Sequence, residues 1–205
     1  MGLGTARVGG LGFSRKGDRE THVSPSTFEE SKRAIRVAVD RGITFFDTAG
    51  IYGAGRSEPL LDETLQGIRQ KVVIATKFGE IFDEGTGEGI EGAEITPEYV
   101  ELACDRSLQR LGMEVVDLYL FHLTDYPLDR TAGIRDALED LVAKGKIRSY
   151  GWSTDDPERA RFFSQGQHCT AVEHRLNILH DMAATEMLAL CDEEDLASLS
   201  IGFRS

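Results

Sequence analysis

The chain has 205 residues, 40% hydrophobic and 28% charged, with 23 basic against 35 acidic side chains and a formal net charge of −12. That length suits one domain with an ample core. So acidic a surface repels phosphate backbones, which argues against nucleic-acid binding, and no apolar run approaches the roughly 20 residues that cross a bilayer.

The opening MGLGTARVGG lacks the charged lead and apolar stretch of a secretory signal. Ala6 also breaks the myristoylation pattern. Ser26-x-x-Glu29 reads as a capping box, starting a helix with Phe28, Ile35, Ala38 and Val39 on one side and Gly42 at its end. Two strands follow, Ile43 to Asp47 and Val72 to Lys77. The Gly- and Glu-rich stretch from Gly79 to Ile95 is a loop, either a solvated excursion or a lid over a site. Pro97 to Leu111 is helical, with Thr96 as N-cap and Gly112 as stop. Next come a strand from Val116 to His122 and a helix striped by Ile134, Leu138, Leu141 and Val142, closed by Gly145. A strand from Ile147 to Ser153 leads to a short helix opened by Asp156-Pro157. Beyond it lie a strand from Thr170 to His174 and a last helix lined by Met187, Leu190 and Cys191. Near-continuous apolar strands alternating with amphipathic helices predict at least five βα units on a parallel sheet. Cys104, Cys169 and Cys191 form no CxxC pair, so buried free thiols in a cytoplasmic protein are expected.

In parallel α/β folds the active site lies at the carboxyl ends of the strands. The runs end on Asp47, on Lys77, on His122, on Trp152-Ser153-Thr154 and on Glu173-His174, and the first feeds a loop carrying Tyr52. Each alone has an ordinary structural role open to it, as cap, ion-pair partner or packing group. Together they make a proton donor to a carbonyl oxygen. A tyrosine of pKa about 10 is brought down by a neighbouring Lys77, Asp47 holds the lysine, and His122 orients the substrate oxygen. Such a site reduces an aldehyde or ketone only if hydride is supplied. No side chain can supply it, so the chemistry implies a nicotinamide cofactor. A rival reading uses Lys77 as a Schiff-base nucleophile in a lyase. His168, Cys169, His174 and His180 match no zinc spacing, and no metal is expected.

Phe45-Phe46-Asp47-Thr48-Ala49-Gly50-Ile51-Tyr52-Gly53, with Ser57-Glu58, Ala75-Thr76-Lys77, Asp117-Leu118-Tyr119-Leu120-Phe121-His122 and Gly151-Trp152-Ser153, resembles the aldo-keto reductase superfamily, most of all its bacterial monomeric oxidoreductases. The resemblance runs from about Gly2 to about Leu199. It implies an α/β (β/α)₈ TIM barrel and NADPH-dependent reduction of small-molecule carbonyls, or oxidation of the corresponding alcohols. It makes Tyr52 the general acid, with Lys77 and Asp47 tuning it and His122 orienting substrate. Cofactor contacts would come from Thr5 on the first strand, Asp47, Ser153, Thr154 and Glu173. Thr154 stands where the family usually has Asn. Glu173 stands where it usually has Gln, and an ionised carboxylate there only accepts hydrogen bonds.

The expected barrel is incomplete, a single domain over 1–205 with about six βα units and a partial seventh strand within Leu196–Ser205. It lacks the family's N-terminal hairpin and last βα units, where cofactor phosphates are commonly held. Two open strand edges suggest self-association. The alternative function is an inactive remnant or regulatory NADPH-binding protein.

Overall fold

The structure is a computed structural model that describes residues 1–6, 8, 28–83, 86, 88–90, 92–176 and 181–202, the last group without the side chains of 181–184. Among the described residues seven strands form one sheet in chain order: β1 (Gly2–Gly4), β2 (Phe45–Asp47), β3 (Val73–Phe78), β4 (Val116–Phe121), β5 (Ile147–Ser153), β6 (Cys169–Arg175) and β7 (Ala197–Ile201). Every neighbouring pair is parallel. Between them run α1 (Phe28–Asp40), α2 (Ser57–Leu65), α3 (Pro97–Arg110), α4 (Ala132–Ala143), α5 (Pro157–Ser164) and α6 (Asp181–Glu193). The result is six βα units and a seventh strand, the incomplete barrel expected.

The sheet curls strongly. In a flat sheet three strand steps separate β3 from β6 by about 14 Å, yet the ammonium of Lys77 on β3 lies 3.4 Å from the carboxylate of Glu173 on β6. Side chains alternate along each strand, so every second residue points inward. The inward set from the lower part of the sheet is apolar: Ala75, Leu118, Leu120 and Ala171, with Phe45 and Leu199 against them. One step further along the same inward face come Asp47, Lys77, Ser153 and Glu173, and the site therefore rests on an apolar floor. Outward residues (Phe46, Ile74, Tyr119, Phe121, Tyr150, Trp152 and Val172) pack against the helices in the main core. Gly151 is required where β5 meets β6. A Cβ there would stand 2.0 Å from the Ala171 carbonyl oxygen, beside a shift in strand register.

Local signals behave as their chemistry directs. The Thr96 hydroxyl accepts from the Tyr99 amide at 3.2 Å, and the Asp156 carboxylate accepts from the Glu158 amide at 2.8 Å. The three thiols are buried and unpaired. Two expectations change. Phe28 does not join the buried side of α1 and is 48% exposed, while Ile35 is fully buried. Helix α2 is implied by the expected alternation of strands and helices but has no predicted bounds, because it has no side-chain cap to announce them; Pro59 is tolerated because it sits in the first turn. Ser26 of the expected capping box lies outside the described residues. Among the described residues, no helix is long and apolar enough to cross a membrane.

Candidate active site

Lys77 is the centre of the rim. It is 2% exposed, and its ammonium donates to the Asp47 carboxylate and, at 3.1 Å, to the Thr48 carbonyl. Tyr52 Oη lies 3.5 Å from Nζ and Glu173 Oε2 lies 3.4 Å away. The ammonium also sits 5.1 Å from the centroid of the Tyr52 ring. His122 follows the end of β4, its amide donating to the Phe78 carbonyl at 2.8 Å. Its ring meets that of Tyr52 edge-on, with centroids 5.8 Å apart. The structure thus brings Asp47, Tyr52, Lys77 and His122 to one place.

The loop that presents Tyr52 is bent hard. Gly53, Ala54 and Gly55 all have positive φ, at 61°, 54° and 82°. Glycine accepts this freely, whereas Ala54 carries a steric cost of about 1–2 kcal/mol.

Burial pushes the Tyr52 phenol up to about 12; Lys77 pulls it down, and Asp47 and Glu173 push it back up. The sequence predicts that the lysine prevails and lowers the phenol. Burial and the two carboxylates outweigh it. For Lys77 burial acts downward, but Asp47 and Glu173 together raise it above an ordinary lysine. An ammonium held this firmly is not a free amine, which speaks against the Schiff-base reading. Burial raises Glu173 in turn, with Lys77 opposing and Asp47 adding to the rise.

The residues expected at a cofactor separate into two groups. Ser153 donates to Glu173 Oε1 at 2.7 Å, and both are buried beside Lys77. The Ser153 O–H is spent on Glu173, so toward a carboxamide this pair presents lone pairs, which can accept from its N–H groups. Thr5 and Thr154 have their hydroxyls engaged within the protein. Thr5 donates to the Asp47 carbonyl at 3.0 Å and accepts from Ser57 at 2.9 Å, and Thr48 donates to Ser57 at 3.0 Å. Thr154 donates to the Thr124 carbonyl at 3.1 Å. From this position Thr5 ties β1 to the Asp47 strand end and to α2.

The described parts of the Gly79–Ile95 loop differ in burial from its roots to its tip. Its roots wall the rim: Ile81 and Phe82 line a pocket with Lys77 and His122, and Ile95 is buried. A cleft of about 350 Å³ opens between Glu80, Ile81, Ile90 and Leu123. Toward the tip, Glu88, Gly89 and Ile90 are exposed. Glu80, which the sequence reading did not single out, places its carboxylate 3.3 Å from His122 Nδ1. Its signal was position alone, three residues past Lys77. Glu58 was also missed as a structural group. It is wholly buried on the outer face, accepting from Thr76 and from Arg110, each at 2.6 Å.

His168 pairs with Glu139 at 2.6 Å, and His174 contacts the Ser198 hydroxyl at 2.8 Å. His180 lies outside the described residues. Among the described residues no three His, Cys, Asp or Glu side chains are grouped to hold a metal.

The Aldo/keto reductase family pattern matches residues 1–202. The chain belongs to the aldo/keto reductase family. It is 35% identical over 196 residues to "Probable aldo-keto reductase 1" of Glycine max, a match covering 93% of this chain and 55% of that protein. Among solved structures it is similar to the holo form of aldo-keto reductase AKR11C1 from Bacillus halodurans, with a TM-score of 0.79 and 26% identity. That match covers 98% of this chain and 60% of the other. An aldo-keto reductase from Klebsiella pneumoniae in complex with NADPH matches with a TM-score of 0.70 and 26% identity, over 97% of this chain and 62% of that one. This aldo/keto reductase chain therefore spans 55% to 62% of the length of these three relatives. Its fold and its rim tetrad both lie within the shared part.

Proposed function

We propose that the protein is an NADPH-dependent oxidoreductase that reduces small-molecule aldehydes or ketones to alcohols. The observation that carries the reading is the Lys77 ammonium, tied to Asp47 and within 3.5 Å of the Tyr52 phenol at the open end of the barrel. NADPH when bound supplies the hydride, which no side chain can. The Ser153 and Glu173 pair would hold its carboxamide.

Everything else is work for the chain. His122 donates a hydrogen bond to the substrate carbonyl oxygen and fixes it near Tyr52 Oη. Tyr52 keeps its proton at rest, because burial disfavours the phenolate. As negative charge develops on the substrate oxygen, the phenol proton passes to it, and Lys77 stabilises the phenolate left behind. Asp47 keeps the ammonium aimed. Ile81 and Phe82 line a pocket with Lys77 and His122, and Ile81 and Leu123 line the neighbouring cleft together with Glu80.

The test is direct. Fluorescence titration reads NADPH binding, and loss of NADPH absorbance reads turnover of a reactive aromatic aldehyde. The reading expects both. Binding without turnover would favour a regulatory NADPH-binding protein, and neither would refute the proposal.

A further inference from the structure

An ammonium has three N–H bonds, and Lys77 has four oxygens around it. The Asp47 carboxylate and the Thr48 carbonyl, at 3.1 Å, take two of the three. The third has two claimants at nearly equal distance, Glu173 Oε2 at 3.4 Å and Tyr52 Oη at 3.5 Å. The charges do not balance either. With both carboxylates ionised, two negative groups share one cation, and Glu173 is only 2% exposed. A buried site of that kind relieves itself by holding a proton on one carboxyl. Asp47 has the close contact to the ammonium, and its side chain is 15% exposed against 2% for Glu173. The proton therefore belongs on Glu173.

We propose that Glu173 is a positioning residue whose proton decides which oxygen receives the third N–H of Lys77. With Glu173 neutral, that N–H faces Tyr52 and the phenolate can be stabilised. When Glu173 ionises, its proton leaves to solvent and the carboxylate takes the N–H away from the phenol. The inference rests on the reading of Tyr52 and Lys77 given above. The charged and titratable groups facing Glu173 are Lys77 from β3, Asp47 from β2 and Tyr52 from the loop after β2. From β5 it meets the Ser153 hydroxyl, and its register partner on β7 is the apolar Leu199. Burial sets the direction, raising the carboxyl above its ordinary range against the pull of Lys77. Carbonyl reduction therefore slows as pH rises through the Glu173 transition.

Glu173→Gln removes the titration and keeps the shape. The experiment compares kcat/KM for one aldehyde at saturating NADPH in both proteins from about pH 5 to about pH 9. Infrared spectra of each record the carboxylic-acid carbonyl stretch over the same range. The wild type is expected to lose about tenfold per pH unit above the transition, and E173Q to lack that limb, so the ratio of variant to wild type climbs with pH. The wild type should show a protonated-carboxyl band that fades over the same interval and is absent from E173Q. Identical pH dependence in the two proteins, or no such band in the wild type, overturns the proposal. Absence of turnover in both would count against the reading of Tyr52, and the infrared band then decides the protonation of Glu173 by itself.

Discussion

Thr76 and Lys77 are adjacent on β3, and because side chains alternate they anchor two buried ion clusters on opposite faces of the sheet. Outside, the Glu58 carboxylate meets one cation, Arg110, and one hydroxyl, Thr76, each at 2.6 Å. Charge is matched, both carboxylate oxygens are satisfied, and the cluster joins α2, β3 and α3. Inside, one ammonium faces two carboxylates, a phenol and a carbonyl. Charge is unmatched, N–H bonds are fewer than acceptors, and the cluster faces the open end of the barrel. A balanced buried pair has one arrangement and holds the fold together. In the unbalanced one the third N–H of Lys77 has two acceptors at nearly equal distance, Glu173 at 3.4 Å and Tyr52 at 3.5 Å.

Substitutions on the two faces should separate these roles. Lys77→Met should have the largest effect, lowering kcat by about 10²–10⁴-fold, or about 3–5 kcal/mol of barrier. It also leaves Asp47 and Glu173 facing each other without a cation. Glu173, already raised by burial, then loses the opposing pull of Lys77, so its contribution to this variant's stability is fully present at low pH and is lost as pH climbs through the raised value. Urea unfolding across pH reads the second effect. Glu58→Gln should instead cost about 3 kcal/mol of folding stability, because it removes the buried carboxylate charge that balances the Arg110 guanidinium. Turnover per folded molecule should be nearly unaffected, and a large kinetic loss would erase the distinction between the faces. The smallest effect belongs to the loop between the clusters. Ala54→Gly removes a left-handed alanine and should gain about 0.5–1 kcal/mol, read as a rise in Tm.

Much of this was legible in the chain. Strand ends announce themselves because an apolar run must stop where the sheet meets solvent, and Asp47, Lys77, Ser153 and Glu173 fall at those stops. Thr96 and Asp156 announce helix starts because an N-cap is local chemistry. What was hidden depends on the tertiary fold. The Gly53–Gly55 turn gives no measure of how deeply Tyr52 is buried, so the direction of its shift was misjudged. Phe28 belongs to the apolar stripe of α1 by spacing, yet it is 48% exposed, and Ser31 and Ile35 are the buried residues of that helix. Glu58 and Arg110 lie far apart in sequence and meet only because α2 and α3 pack side by side against β3. The curl of the sheet brings Glu173 to Lys77, and no local pattern carries that contact.

The central claim is that Tyr52 gives the proton. Tyr52→Phe removes one oxygen that contacts Lys77 at 3.5 Å and leaves the ring in place against His122. Steady-state turnover of a reactive aldehyde should fall by about 10²–10⁴-fold, with NADPH affinity and Tm close to those of the wild type. A variant that reduces the aldehyde as fast as the parent would contradict the account.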